Sequence, residues 1–195
     1  MTSKGEDSNL KGAKIRKEDV NKVVMDFLVT HGYLQAAQKF QSESETKPEV
    51  DLASESIIDR VAVTNAVQCG NVVDAIEKLN ALNPEILREN PELDFRLQDQ
   101  TFIELIRHGK LQEAIEFGKE MAKPIKDNRR MRDKDAYTGR FKEKLDISNR
   151  FKLASQVNAV ILTSQNLEKD PKLESLLKMK VWFQEELNET RFVPA

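Results

Sequence analysis

The chain has 195 residues, of which 39% are hydrophobic and 33% charged, and its formal net charge at pH 7 is −2. This near balance of charge gives no field that would attract nucleic acid or an anionic membrane, so we expect neither as a partner. A single cysteine excludes a disulfide framework and a Cys-rich zinc module such as a RING finger. No apolar run approaches the roughly 18 residues of a membrane span, and the polar segment 1–17 lacks the apolar stretch of a signal peptide. These features predict a cytoplasmic and nuclear protein.

The chain opens with a polar tail, residues 1–18, whose composition predicts disorder. Asp19 is a candidate N-cap, and after it apolar residues recur at the i, i+3, i+4, i+7 spacing of an amphipathic helix. Gly32 provides the left-handed backbone position that ends many helices, and the same apolar spacing restarts beyond it. The sequence therefore predicts a helix–glycine–helix hairpin over residues 19–45.

The hairpin signature returns at Gly70 and Gly109, so the three glycines are 38 and 39 residues apart. A small residue five places after each glycine would let the second helix approach the first closely; these residues are Ala37, Ala75 and Ala114. Such spacing indicates stacked antiparallel helix pairs, although similar turns also recur by chance in all-helical proteins. No long alternating run argues for a sheet, so the predicted fold class is all-α.

Further helix starts are marked by an Asx-Pro pair, in which a capping side chain precedes a proline at the first helical position. The pairs are Asn83-Pro84, Asn90-Pro91 and Asp170-Pro171. The last pair precedes a helix with apolar residues at Leu173, Leu176, Leu177, Val181 and Leu187. We interpret Trp182 and Phe183 as core residues of that helix.

Segment Asn21 to Glu45, NKVVMDFLVTHGYLQAAQKFQSESE, resembles the LisH motif, in which an apolar helix is followed by Gly-Tyr/Phe and a second helix. Asp51 to His108 is similar to a CTLH domain, and residues 110–117 and 151–189 resemble the opening and the closing helices of a CRA domain. We therefore expect a LisH hairpin at 19–45, a CTLH domain at 50–108 and a CRA-like region at 109–195. Residues 122–144, which are rich in Lys and Arg, stand where a CRA domain continues as apolar helix, and they predict a basic linker in a shortened or altered CRA domain.

LisH, CTLH and CRA in this order resemble the small scaffold subunit of the GID/CTLH E3 ubiquitin ligase complex, which has neither a SPRY nor a RING domain. The resemblance implies a non-catalytic subunit that bridges RING-bearing and SPRY-containing, substrate-receptor subunits in ubiquitin- and proteasome-dependent degradation. It implies no cofactor. The alternative is a LisH-containing adaptor in transcriptional repression or cytoskeletal regulation.

The LisH hairpin is too small to be stable alone, so either a second LisH hairpin or this chain's own C-terminal helices must cover its apolar stripe. LisH motifs pair, which implies a homo- or hetero-oligomer. The predicted interaction surface of the LisH hairpin is Val24, Phe27, Leu28, Gly32, Tyr33, Ala36 and Phe40. The predicted interaction surface of the CTLH and CRA-like helices is Phe102, Leu105, Ile106, Leu111, Ile115, Leu173, Leu177 and Trp182.

The sequence offers no catalytic group and no metal ligand set that stands out. His31 and His108 each precede a glycine at a helix end, where an imidazole meets the C-terminal dipole, and we prefer this interpretation to metal binding. We interpret Cys69 as a small buried side chain rather than a nucleophile. The basic run at 122–144 is interpreted as a solvated linker, with RNA, anionic lipid or a nuclear import receptor as its alternative partners.

Overall fold

The computed structural model describes residues 16–121 and 145–190, and within these ranges it has nine helices and no strand. The all-α prediction is confirmed. The helices are α1 (Lys17–Thr30), α2 (Leu34–Ser44), α3 (Glu55–Cys69), α4 (Val72–Leu82), α5 (Glu85–Glu89), α6 (Pro91–Arg107), α7 (Leu111–Met121), α8 (Ser148–Ser164) and α9 (Lys172–Thr190). The predicted basic linker and residues 1–15 of the predicted tail lie outside the described residues.

The chain forms two compact units, one made of Met1–Ser54 with Asp170–Ala195 and the other of Glu55–Lys169. In the first unit α1 and α2 form a hairpin, and α9 packs against α1. The core of this unit is Met25, Ala37 and Leu52, with four partly buried side chains around it: Leu28, Val29, Leu34 and Phe40. The chain's own C-terminal helix therefore contacts the LisH hairpin at α1.

The start of α1 differs from the prediction. The helix begins at Lys17, with Arg16 in the N-cap position, so Asp19 lies inside the first turn and is not the cap. Its carboxylate accepts hydrogen bonds from the Arg16 guanidinium at 2.8 and 2.9 Å. A carboxylate in the first turn also faces the positive end of the helix dipole. Asp19 therefore stabilises the start of α1, as expected, but from the first turn rather than from the N-cap position.

All three predicted glycine turns are present. Gly32, Gly70 and Gly109 have φ of 76°, 85° and 73°, in the left-handed region where a side chain is strained. In each turn the residue after the glycine donates its amide to the carbonyl five positions earlier, at 2.8 to 2.9 Å, as in a Schellman motif. The alanines five places after these glycines are at most 3% exposed: Ala37, Ala75 and Ala114. The three alanines are therefore buried, as close helix approach at these turns requires.

The second unit has its core where α3 packs against both α4 and α8. Its buried apolar residues include Val63, Val67, Ala75, Leu79, Ile86, Leu97, Val157 and Ile161. The Arg60 guanidinium is also buried and donates to the side-chain oxygen of Asn158 on α8. On the outer side α7 packs against α6, and Gly118 allows this because a Cβ there would lie 3.2 Å from the Phe102 ring.

The Asx-Pro pairs mark helix starts, but only at Asn90-Pro91 does the proline hold the first helical position, and there the asparagine side chain makes no capping bond. Asn83 accepts the Glu85 amide at 3.0 Å at the start of α5. Asn90 instead donates to the Ile86 carbonyl at 2.8 Å, closing α5, while Pro91 opens α6. At the last pair α9 starts at Lys172, directly after Pro171, and Asp26 accepts the Lys172 amide. None of the helices in 16–121 and 145–190 is both long and apolar enough to span a membrane.

Candidate interaction surfaces

The first turn of α9 is attached to the LisH hairpin by polar contacts. Asp26 of α1 accepts the Lys172 amide at 2.7 Å, which caps α9 from another helix. The Lys172 ammonium reaches Glu49 at 3.1 Å and Asp26 at 3.8 Å. His31, in the C-cap position of α1, lies 3.0 Å from the Glu174 carboxylate. These contacts fix where α9 begins.

Beyond this first turn α9 is uncovered. Every side chain from 175 to 186 is exposed, on all sides of the helix. Six large apolar side chains in this stretch are 52–54% exposed: Leu176, Leu177, Met179, Val181, Trp182 and Phe183. The interpretation of Trp182 and Phe183 as core residues was therefore wrong. Their rings contact each other, with centroids 5.0 Å apart, and exposed apolar surface of this kind marks an interaction site. The side chain of Leu187 lies outside the described residues.

The predicted LisH residues divide between the inside and the outside of the first unit. Val24, Phe27, Leu28, Gly32 and Phe40 are partly buried, whereas Tyr33 and Ala36 are exposed. Leu28 and Phe40 pack against the small core of the unit, so part of the predicted surface already stabilises the hairpin.

Aromatic rings cluster at the turn of the LisH hairpin. The Phe27 and His31 rings are 4.5 Å apart between centroids, and the Tyr33 ring lies 6.3 Å from Phe27 and 5.9 Å from His31. Tyr33 is 53% exposed, so the cluster remains open to solvent on that side. Aromatic side chains with one apolar face and one wet edge are enriched at protein interfaces.

The predicted interaction residues of the CTLH and CRA-like helices also divide between partly buried and exposed positions. Phe102, Leu105 and Ile106 are partly buried on α6, whereas Leu111 and Ile115 on α7 are 60% and 50% exposed. These two side chains are four positions apart and share one face of α7, next to buried Ala114. In α9, Leu173 is partly buried, and Leu177 and Trp182 are exposed. Among the predicted residues of these helices, those that remain exposed are therefore on α7 and α9.

A buried carboxylate joins α6 to α8 in the second unit. Glu104 is 5% exposed and accepts hydrogen bonds from Arg150 at 2.8 Å and from Gln100 at 2.6 Å. Arg107 lies 3.3 Å from the same carboxylate and donates to the Leu145 carbonyl at 2.6 Å. Burial raises the pKa of Glu104, but the hydrogen bonds and charges of Arg150, Gln100 and Arg107 together hold that pKa below its ordinary value. Glu104 also borders a cavity of about 470 Å³ between α4 and α6.

The residues weighed for catalysis or metal binding are placed as follows. Cys69 is exposed, so the interpretation of it as a buried side chain was wrong. His31 and His108 occupy C-cap positions, as predicted, and the Nδ1 of His108 lies 2.7 Å from the Glu104 carbonyl. Across 16–121 and 145–190 there is no group of three His, Cys, Asp or Glu side chains that could hold a metal ion.

Two family models match the chain over most of its length. The LisH model matches residues 18–44, which correspond to α1 and α2. The model described as the CTLH/CRA C-terminal to LisH motif domain matches residues 56–188, which run from α3 into α9. These matches define the architecture as that of a LisH–CTLH protein, and neither description names a catalytic activity.

Several relatives match this chain over most of its length. The chain is 55% identical over 200 residues to the Protein GID8 homolog of Arabidopsis thaliana, covering 96% of this chain and 82% of that protein. It is 43% identical to the Glucose-induced degradation protein 8 homolog of Dictyostelium discoideum, covering 96% and 87% respectively. It is 28% identical to the GID complex subunit 8 of Schizosaccharomyces pombe, covering 94% and 87%. The chain belongs to the GID8 family of LisH–CTLH proteins.

Proposed function

We propose that this protein is a non-catalytic scaffold subunit of a GID/CTLH-type ubiquitin ligase. In this role it holds a RING-bearing subunit and a SPRY-containing substrate-receptor subunit in one assembly, in the cytoplasm and the nucleus. The proposal is supported by the relatives named as GID8 homologs and as GID complex subunit 8. The observation that carries it is α9, whose apolar side chains from Leu176 to Phe183 are about half exposed.

The magnitude of this exposed surface fits an obligate interaction helix. Full burial of a large apolar side chain contributes about 1.5–3 kcal/mol, so burying the remaining half of six such side chains gives a gross gain on the order of 5–9 kcal/mol. Part of this gain offsets the lost translational and rotational freedom of the partners. The LisH residue Tyr33, 53% exposed, adds a further contact on the same unit. We infer that the first unit forms the homo- or hetero-oligomer with another LisH-bearing subunit.

A scaffold needs a second surface, and we assign it to α7 in the second unit. Leu111 and Ile115 form an exposed apolar pair there. With one partner on α9 and another on α7, this chain raises the effective concentration of the substrate near the ligase centre without making or breaking a bond itself. The function follows from joining two partners rather than from a reactive side chain.

The test is affinity purification of the tagged full chain from its own cells, followed by mass spectrometry. We expect RING-bearing LisH–CTLH subunits and a SPRY-containing subunit among the recovered proteins. The double variant Leu177→Asp/Trp182→Asp should lose the partner of α9, and Leu111→Asp/Ile115→Asp should lose the partner of α7. Loss of one partner without the other would show two separate surfaces.

The matched controls are Gln184→Asp on α9 and Gln112→Asp on α7, because both residues are exposed and polar. Each introduces one negative charge on the same helix, half the charge change of the double variant, and should leave both partners bound. Recovery of wild-type chain with itself alone, or with chromatin or cytoskeletal factors, would contradict the ligase assignment.

A further inference from the structure

His31 and Glu174 are 143 positions apart in the sequence and meet within the first unit, with Nε2 3.0 Å from Oε1. His31 closes α1, and Glu174 lies in the first turn of α9. Because a carboxylate only accepts hydrogen bonds, the Nε2 of His31 carries a proton and donates it. The two side chains are 25% and 39% exposed, so water reaches the contact only in part.

This contact differs from the others that attach α9. Lys172 pairs with Asp26 and Glu49 through an ammonium and two carboxylates, and these pairs contain no imidazole. Histidine is the side chain whose charge ordinarily changes between pH 5 and 8. The chain has two histidines, and the other, His108, is in the second unit. His31 is therefore the histidine through which the first unit can respond to mild changes of pH.

We propose that His31 and Glu174 form a pH-sensitive latch that holds the first turn of α9 to the LisH hairpin more firmly when His31 is protonated. The hydrogen bond exists with a neutral imidazole, and protonation makes it charge-assisted and stronger. The C-terminal end of the α1 dipole also favours a cation at this position.

Two aromatic side chains also contact His31. The Phe27 and Tyr33 rings face it, at centroid distances of 4.5 and 5.9 Å. The Lys172 ammonium, two positions before Glu174, lies 3.8 Å from the carboxylate of Asp26 and 3.1 Å from that of Glu49. With a neutral His31 the start of α9 is released more often than with a protonated one. The consequence for partner binding rests on the function proposed above, whereas the latch itself is a property of the chain alone.

Trp182 makes the latch measurable, because it is the chain's single tryptophan and lies on α9. We would record the fluorescence anisotropy decay of the full chain, without partners, between pH 5.5 and 8.0, at a concentration where sedimentation shows one species throughout. The amplitude of the fast segmental component should rise about threefold from pH 5.5 to 8.0, the size expected for a partly exposed ion pair.

His31→Gln removes the ionisable imidazole, and Glu174→Gln removes the carboxylate charge that pairs with it. Both keep a hydrogen-bonding group of similar size, so both should abolish the pH response of the contact. His108→Gln is the matched control and should retain the wild-type profile. A flat wild-type profile, or a response that survives in His31→Gln, would overturn the latch. Because no partner is present, this result is independent of the purification experiment that tests the scaffold function.

Discussion

Arg150 of α8 and Glu104 of α6 meet through two hydrogen bonds: Nε donates to Oε1 at 2.8 Å, and Nη2 donates to Oε2. The two side chains are 13% and 6% exposed. The same guanidinium lies against the α3–α4 turn, where a Cβ built on Gly70 would be 2.7 Å from it. This one pair therefore connects α6, α8 and a glycine turn, and the stability of the second unit should depend on it.

Glu104→Ala should lower the free energy of unfolding by about 3 kcal/mol, because it leaves the buried Arg150 charge without its partner. Denaturant unfolding followed by circular dichroism measures this loss. Glu77→Ala, at an exposed carboxylate on α4, is the control and should change stability by less than about 0.5 kcal/mol. In a cycle with Arg150→Met, the two single changes should be non-additive by about 1–3 kcal/mol. Additive effects would show that the pair contributes nothing beyond its separate side chains.

The free energy of unfolding should fall in acid because the Glu104 carboxylate becomes protonated. The pKa of Glu104 in the folded chain lies below its ordinary value of 4.5, so the unfolded chain binds the proton more readily. The contribution of Glu104 is thus fully present above about pH 4.5 and is lost as pH falls through the lower folded pKa. Asp146, whose pKa is lowered mainly by the Ser148 amide, changes stability in the same direction. Thermal unfolding between pH 3 and 6 should show a shallower pH dependence for Glu104→Gln than for wild type; equal slopes would exclude this carboxylate as a cause.

The glycine turns could be predicted from the sequence because their determinants are local. A glycine that permits a positive φ, followed five places later by alanine, specifies both the chain reversal and the close helix approach. Gly32, Gly70 and Gly109 all repeat this pattern. The pair of Glu104 and Arg150 could not be found in the same way, because its members are 46 positions apart on separate helices. Among 33 acidic and 31 basic residues, no local pattern distinguishes the two that meet.

The errors at Trp182, Phe183 and Cys69 have a common physical cause. Apolar spacing indicates that a helix face must be covered, but it does not identify what covers it. In α9 the apolar spacing correctly predicts a helix. The assumption that the chain itself covers the apolar face of this helix was wrong. The apolar neighbours of Cys69 led to the same kind of error. They suggest a buried position, but Cys69, at the end of α3, is exposed.

Gly70→Ala should destabilise the protein more than Gly109→Ala. Both glycines have positive φ, 85° and 73°, so alanine at either position costs about 1 kcal/mol in backbone strain. At Gly109 nothing lies within 4 Å of the added Cβ, whereas at Gly70 the Cβ would meet the Arg150 guanidinium at 2.7 Å. Displacing that guanidinium disturbs its bond to Glu104, which should add roughly 1–2 kcal/mol. Unfolding of the two variants under the same conditions tests the difference, and equal losses would mean that Arg150 moves aside freely.

The close approach of α3 and α4 at the Gly70 turn can be tested by making the same substitution, alanine to leucine, at two positions of α4. Ala75 is 1% exposed, and α4 packs against α3 there, so Ala75→Leu inserts three carbon atoms where no space exists. Overpacking of this kind costs about 1–3 kcal/mol. Ala81 lies on the same helix and is exposed, so Ala81→Leu should change stability by less than about 0.5 kcal/mol. Because both variants exchange the same two residue types, helix propensity and hydrophobicity are matched, and a difference between their unfolding free energies isolates the packing between α3 and α4. If the two variants were equally stable, the alanine would not be what permits the hairpin to close.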